Sequence, residues 1–303
     1  MNSGFSRRGW LLFAAMCLLW GVPYLFISIA VESLSPPAIV AGRTLIAALL
    51  LLPFAIRSGA LRAALRRWPW VLAFGLVEMA GPFVLLGHAE TTLPSGMTGL
   101  LVATVPLFAA LIALGGGDRS VLRPARAIGL VVGFVGVAIV VAGPGLFGGD
   151  VSLLAAAEVL FVAVLYAIAP FIVARKLGDV SSLGTITLSL MMIGILYLPI
   201  GLLTQHQVPT LPSIVALLVL GVVCTAVAFL AFFALIGEAG PVRAPLFTYV
   251  NPVVAIVLGA IVLAEPLTPG LLIGFPLIIA GCWFAATGGR LRPAASAPLP
   301  PAP

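Results

Sequence analysis

The chain has 303 residues, 62% of them apolar and only 8% charged, with a formal net charge of +6. A soluble domain carries about 25% charged residues, and so few charges cannot cover a globule of this size. An ordinary soluble enzyme and a disordered chain are therefore excluded, and an integral membrane protein remains. Strands of a membrane barrel would alternate between apolar and polar positions, whereas the apolar runs here are continuous, so the spans are helices.

A spanning helix takes about 20 mostly apolar residues. Ten such segments follow one another, at 8–30, 35–57, 67–89, 93–116, 123–143, 150–175, 180–203, 210–236, 240–263 and 267–287. Span 1 follows Arg7-Arg8 and carries Trp20, Pro23 and Tyr24; it is too long for a signal-peptide core, and no cleavage site follows. Ser35-Pro36-Pro37 starts span 2, which holds Arg43. Span 3 has Glu78 near its middle and Phe83 beyond it. Span 4 contains Pro106 and ends at Gly115-Gly116-Gly117-Asp118, a strong breaker. Gly143-Pro144-Gly145 separates span 5 from span 6, where Glu158, Tyr166 and Pro170 lie. Gln205-His206-Gln207 breaks the chain after span 7. Span 8 carries Phe229, and span 9 carries Tyr249, Asn251 and Pro252. The Ala- and Pro-rich tail, 293–303, cannot build a core and is expected to be disordered.

All the Lys and Arg except Arg43 fall before span 1, in the loops that follow the even-numbered spans, or after span 10. The opposite loops carry Glu32, Glu90, Asp150 and Glu265 and no Lys or Arg. The positive-inside rule places both termini in the cytoplasm. Missing a single span would scramble that division, so it also supports the count of ten.

The two halves of the chain repeat. At an offset of 146, Pro53 falls on Pro199, Gly75 on Gly221, Phe83 on Phe229, Pro106 on Pro252 and Trp20 on Tyr166; at 145, Gly129 and Gly136 fall on Gly274 and Gly281. Each half (8–143 and 150–287) has five spans, and an odd number makes the second copy start on the opposite side. The fold expected is an all-α membrane bundle of two inverted five-helix repeats, an arrangement that lets secondary transporters expose a midplane site to either face.

Trp20-Gly21, Arg43, Pro106, Asn251-Pro252 and Glu265-Pro266-Leu267, in this order, resemble the drug/metabolite transporter superfamily, specifically its ten-helix proteins with two EamA domains. Within it the chain is most similar to the YddG-type exporters of aromatic and other amino acids. The resemblance implies small-metabolite export and a central cavity lined by spans 1, 3, 4, 6, 8 and 9. One departure is that the counterpart of Glu265-Pro266 in the first repeat is Asp118-Arg119.

On those helices the candidate cavity residues are Trp20, Tyr24, Glu78, Phe83, Tyr166, Phe229, Tyr249 and Asn251. Aromatic walls suit bulky apolar side chains and can hold a cation over a ring. Arg43 and Glu158, at matching depths of about 12 Å at 1.5 Å per residue, form a candidate intramembrane charge network, because charges in hydrocarbon face the bundle interior and seek partners. Pro23, Pro106, Pro170 and Pro252 are candidate bends for gating. The spacings Gly129-x-x-x-Gly133 and Gly270-x-x-x-Gly274 allow spans 5 and 10 to approach closely.

The reading is a secondary transporter exporting neutral, chiefly aromatic, amino acids or related metabolites across a bacterial-type inner membrane by alternating access. Export of other metabolites or drugs is the alternative. An ATP-driven pump lacks its phosphate loop here. A membrane enzyme would need clustered His, Cys or carboxylates, and a channel would need a filter; the sequence shows neither. No metal, cofactor or nucleic acid is expected, and the partners expected are the small-molecule cargo and membrane lipids, with the chain as a monomer.

Overall fold

A computed structural model describes residues 6–146, 152–240 and 244–289. The tail from Pro293, and Asp150, Arg243, Arg290 and Arg292 among the charges, lie outside the described residues. Ten helical spans are long and apolar enough to cross a membrane: Arg7–Val31, Pro36–Arg57, Trp68–Ala89, Ser95–Gly115, Pro124–Ala142, Leu153–Lys176, Ser182–Thr204, Leu211–Ala239, Ala244–Val262 and Pro269–Thr287. Polar residues start several of them: Ser35, Ser152, Thr210 and Thr268 each accept a hydrogen bond from a backbone N–H three residues on, which satisfies a donor the helix cannot.

Which spans pack together follows the repeat. The most extensive pairings are span 5 with span 10 and span 2 with span 7, each joining an element to its own copy across the pseudo-two-fold axis. Span 3 packs on span 6 and span 8 on span 1, a pair of contacts that the repeat exchanges. The same exchange holds at single residues. Gly75 faces Ser189, and 146 positions on from Gly75, Gly221 faces the backbone of Arg43. Leu49, Leu50, Phe54, Leu202, Leu203 and Ile261 are exposed outside the bundle, as lipid-facing residues must be, because tails and leucines are equally apolar.

Five of the spans are not continuous α-helices. Span 1 breaks at Trp20–Val22 and resumes as Pro23–Val31. Span 4 is two segments, Ser95–Val102 and Val105–Gly115, and span 9 begins as a 3₁₀ stretch, Ala244–Tyr249, before Asn251–Val262. The sequence suggested that Pro106 and Pro252 bend continuous helices. Instead each lies at the start of a new segment, as Pro23 does, where a missing N–H costs nothing. Pro170 sits within an unbroken helix, Leu153–Lys176. Spans 3 and 8 contain π-helical turns at Leu76–Ala80 and Val222–Val227. These turns are equivalent under the repeat, and such insertions occur mostly at functional positions.

Candidate functional site

The breaks and π-turns converge on one chamber of about 1560 Å³. Trp20, Tyr24, Glu78 and Phe83 line it from the first repeat, and Tyr166, Phe229, Tyr249 and Asn251 from the second. Pro106 and Pro252 also border it. Its walls are mostly apolar; Arg43 and Glu78 reach it from different helices within the bundle, and Arg123 and Arg126 border one end.

The π-turn of span 8 positions Arg43. Within that turn the Thr225 hydroxyl donates to the carbonyl of Leu220, five residues back, at 2.7 Å. The Thr225 oxygen in turn accepts from Arg43 Nε at 2.8 Å. The guanidinium lies 3.9 Å from the centre of the Phe83 ring, which favours a desolvated cation. Arg43 is 6% exposed, yet among the described residues no carboxylate lies within 4 Å of it. The π-turn of span 3 carries Glu78 at its centre, also without an ion-pair partner.

Trp20, at the break in span 1, packs against Phe229, Phe232 and Phe247 with ring centres 5.1 to 5.6 Å apart. Asn251 ties that break to span 9. With the amide assigned so that its nitrogen meets both acceptors, it donates to the Cys17 carbonyl at 3.3 Å and the Phe247 carbonyl at 3.1 Å. The Cys17 carbonyl is left over because the Gly21 N–H turns to Leu18 instead. Asn251 therefore both borders the chamber and satisfies the broken backbone.

Arg43 and Glu158 are not brought together. Glu158 Oε2 is 2.8 Å from His88 Nδ1 at the end of span 3 away from the basic loops, so the expected network is replaced by a His–carboxylate pair. Sequence reading missed Thr225 and the π-turns, since neither has a compositional signature. Glu265 was noticed, but its partner was not. Its carboxylate accepts from the Ser95 N–H at 2.7 Å and the Gly96 N–H at 3.0 Å, capping the first segment of span 4. Ala264 is held at φ 54° beside it, a conformation uncommon without glycine. Asp118, its counterpart, instead accepts from the nearby Ser120 N–H.

The chamber is asymmetric. It extends to Trp10, Arg123, Arg126 and Thr287 at the end bearing the basic loops. Toward the other end it stops at Ile27, Leu86 and Gly99. Beyond them the chain is cross-linked: Ser35 N–H donates to Gln205 Oε1 and Gln205 Nε2 to the Ser33 carbonyl, both at 2.8 Å, and Glu265 holds Ser95 and Gly96.

Two stretches of the chain, 7–142 and 153–287, each match the model of the EamA-like transporter family. The chain belongs to the EamA-like transporter family. An uncharacterized transporter, YvbV, of Bacillus subtilis is 31% identical, with 96% of this chain and 95% of that one covered. An uncharacterized inner membrane transporter, YedA, of Escherichia coli K12 is 29% identical over 81% of this chain and 79% of its own. A solved crystal structure aligns with TM-score 0.65 at 21% identity, covering 94% of this chain and 99% of that one; this likeness concerns the fold alone. In this EamA-like chain, no group of three or more His, Cys, Asp or Glu among the described residues could hold a metal ion.

Proposed function

We propose that this EamA-like transporter exports neutral amino acids with bulky, chiefly aromatic, side chains across the inner membrane by alternating access. The observation that carries the reading is the pair Arg43 and Glu78, neither in an ion pair among the described residues, bordering one chamber with aromatic walls. A zwitterion supplies the opposite charge to each, its carboxylate to Arg43 and its ammonium to Glu78, while the rings receive its side chain. In this reading the basic loops face the cytoplasm, so the chamber opens inward and is shut outward.

The test is purified protein in liposomes preloaded with unlabelled phenylalanine, offered labelled phenylalanine or leucine outside. Saturable exchange, about tenfold above protein-free liposomes, is expected. Exchange of polyamines or sugar phosphates without either amino acid would overturn the cargo assignment. The orientation has its own check. In whole cells, a cysteine at exposed Thr92 should react with an impermeant thiol reagent and one at exposed Ala63 should not; the reverse pattern would invert the direction of transport.

A further inference from the structure

The outer cross-link contains a group that the transport reading does not use. Glu90 follows the last residue of span 3, in the turn leading to span 4. It is 5% exposed; the Ser28 backbone on span 1 lies close enough to favour its charge, but neither carboxylate oxygen has a partner of full hydrogen-bond geometry among the described residues. The Ser95 hydroxyl, five residues on, is fully buried and equally unpartnered. Buried carboxylates are ordinarily paired or bonded, and an ionised one left bare is costly.

The groups facing Glu90 make its charge more awkward still. Glu265, after span 9, is within electrostatic reach, and both its oxygens already hold the N–H groups of Ser95 and Gly96. Arg43 from span 2 acts on Glu90 in the opposite sense, but among the described residues no basic group lies within 4 Å. Tyr24 from span 1 also feels Glu90. On its own helix, His88 is paired with Glu158. Burial first, and then the charge of Glu265, hold the Glu90 carboxyl well above its ordinary range.

We propose that Glu90 is a proton-binding site coupled to the outer end of the transporter: it carries a proton while Glu265 closes that end onto span 4, and it releases the proton when the end opens. The proton makes Glu90 a neutral hydrogen-bond donor beside the Glu265 carboxylate and removes the repulsion between them. The sign follows by linkage. The shut form binds the proton more tightly than the open form, so rising pH favours opening. Protons from outside therefore favour the shut, inward-facing form of the emptied carrier, and the pH outside sets how readily the outer end opens, whatever the cargo.

The test reads conformation and needs no cargo. Leu34, 7% exposed in the outer cross-linked region, is replaced by cysteine after Cys17, Cys224 and Cys282 are changed to alanine. Labelling by an impermeant thiol reagent from outside is followed at about pH 5.5 and about pH 8 and divided by the rate for exposed Thr92→Cys, which removes the reagent's own pH dependence. Expected is a relative rate about tenfold higher at the upper pH. Glu90→Gln should hold the rate low at both, and Glu90→Asp should restore the response. An unresponsive parent protein, or a Glu90→Gln variant that responds like the parent, would overturn the site. A response abolished by Glu90→Gln supports it even if phenylalanine is not carried, so the two readings fail separately.

Discussion

Gly281→Val is expected to prevent spans 5 and 10 from docking and to lower the melting temperature in detergent by about 6–12 °C, or to leave no monodisperse protein. A Cβ built on Gly281 would lie 2.4 Å from both Cα and N of Gly133 and 2.7 Å from the Gly129 carbonyl oxygen. These are backbone atoms, and no rotamer change can move them aside. Overpacking a core costs about 1–3 kcal/mol when side chains can yield, so a clash with backbone belongs at or above the top of that range. In a bilayer the loss has little to offset it, because helices associate through close packing rather than through exclusion of water. Gly115→Val is the control: nothing lies within 4 Å of its Cβ position, and its melting temperature should move by less than about 2 °C. Equal melting temperatures for the two variants would mean that spans 5 and 10 are not packed as described.

That contact also shows how much of the fold could be read from sequence. The ends of the ten spans were legible because apolar length, proline and polar breaks mark them directly. The pairing of spans 5 and 10 was legible from glycine spacing, and the repeat added its symmetry: Gly129 approaches the Gly281 carbonyl, and the equivalent Gly274 approaches the Gly136 carbonyl. The glycine pairs named from spacing alone were only partly the ones used, since Gly133 also takes up Leu107 of span 4. Spacing reports which face of a helix is small, but not what presses on it. The aromatic and polar residues that border the chamber stood out because they are scarce in such an apolar chain. Charge pairing was less legible. Depth alone brought Arg43 and Glu158 to the same level, but the rotation of each helix decides which side chains meet, and span 6 turns Glu158 toward His88. The π-turns escaped notice for a related reason: one extra residue per turn changes rotation without changing hydropathy.

Arg43→Gln is expected to abolish phenylalanine exchange while leaving the melting temperature within a few degrees of the parent. An intramembrane arginine costs roughly 2.5–3.5 kcal/mol on insertion scales. The Phe83 ring returns about 2 kcal/mol to a desolvated cation, and a charged hydrogen bond such as that to Thr225 about 1.5–3 kcal/mol. The sum runs from about zero to about 2.5 kcal/mol in favour of the buried charge, so the fold loses at most a modest part of its stability with it. Its removal does not strand Thr225 either, because that hydroxyl still donates to the Leu220 carbonyl. The carboxylate of a zwitterionic cargo, by contrast, would lose the one basic neighbour at this depth among the described residues, since Arg123 and Arg126, which also border the chamber, stand at its mouth. Loss of one charge-assisted bond of about 3 kcal/mol lowers affinity roughly a hundredfold. Arg43→Lys should recover part of the exchange: it restores the charge but not the fork that can bond Thr225 and a carboxylate together. A Gln variant that loses stability and exchange in parallel, with no rescue by Lys, would make Arg43 a helix tie instead of a cargo ligand.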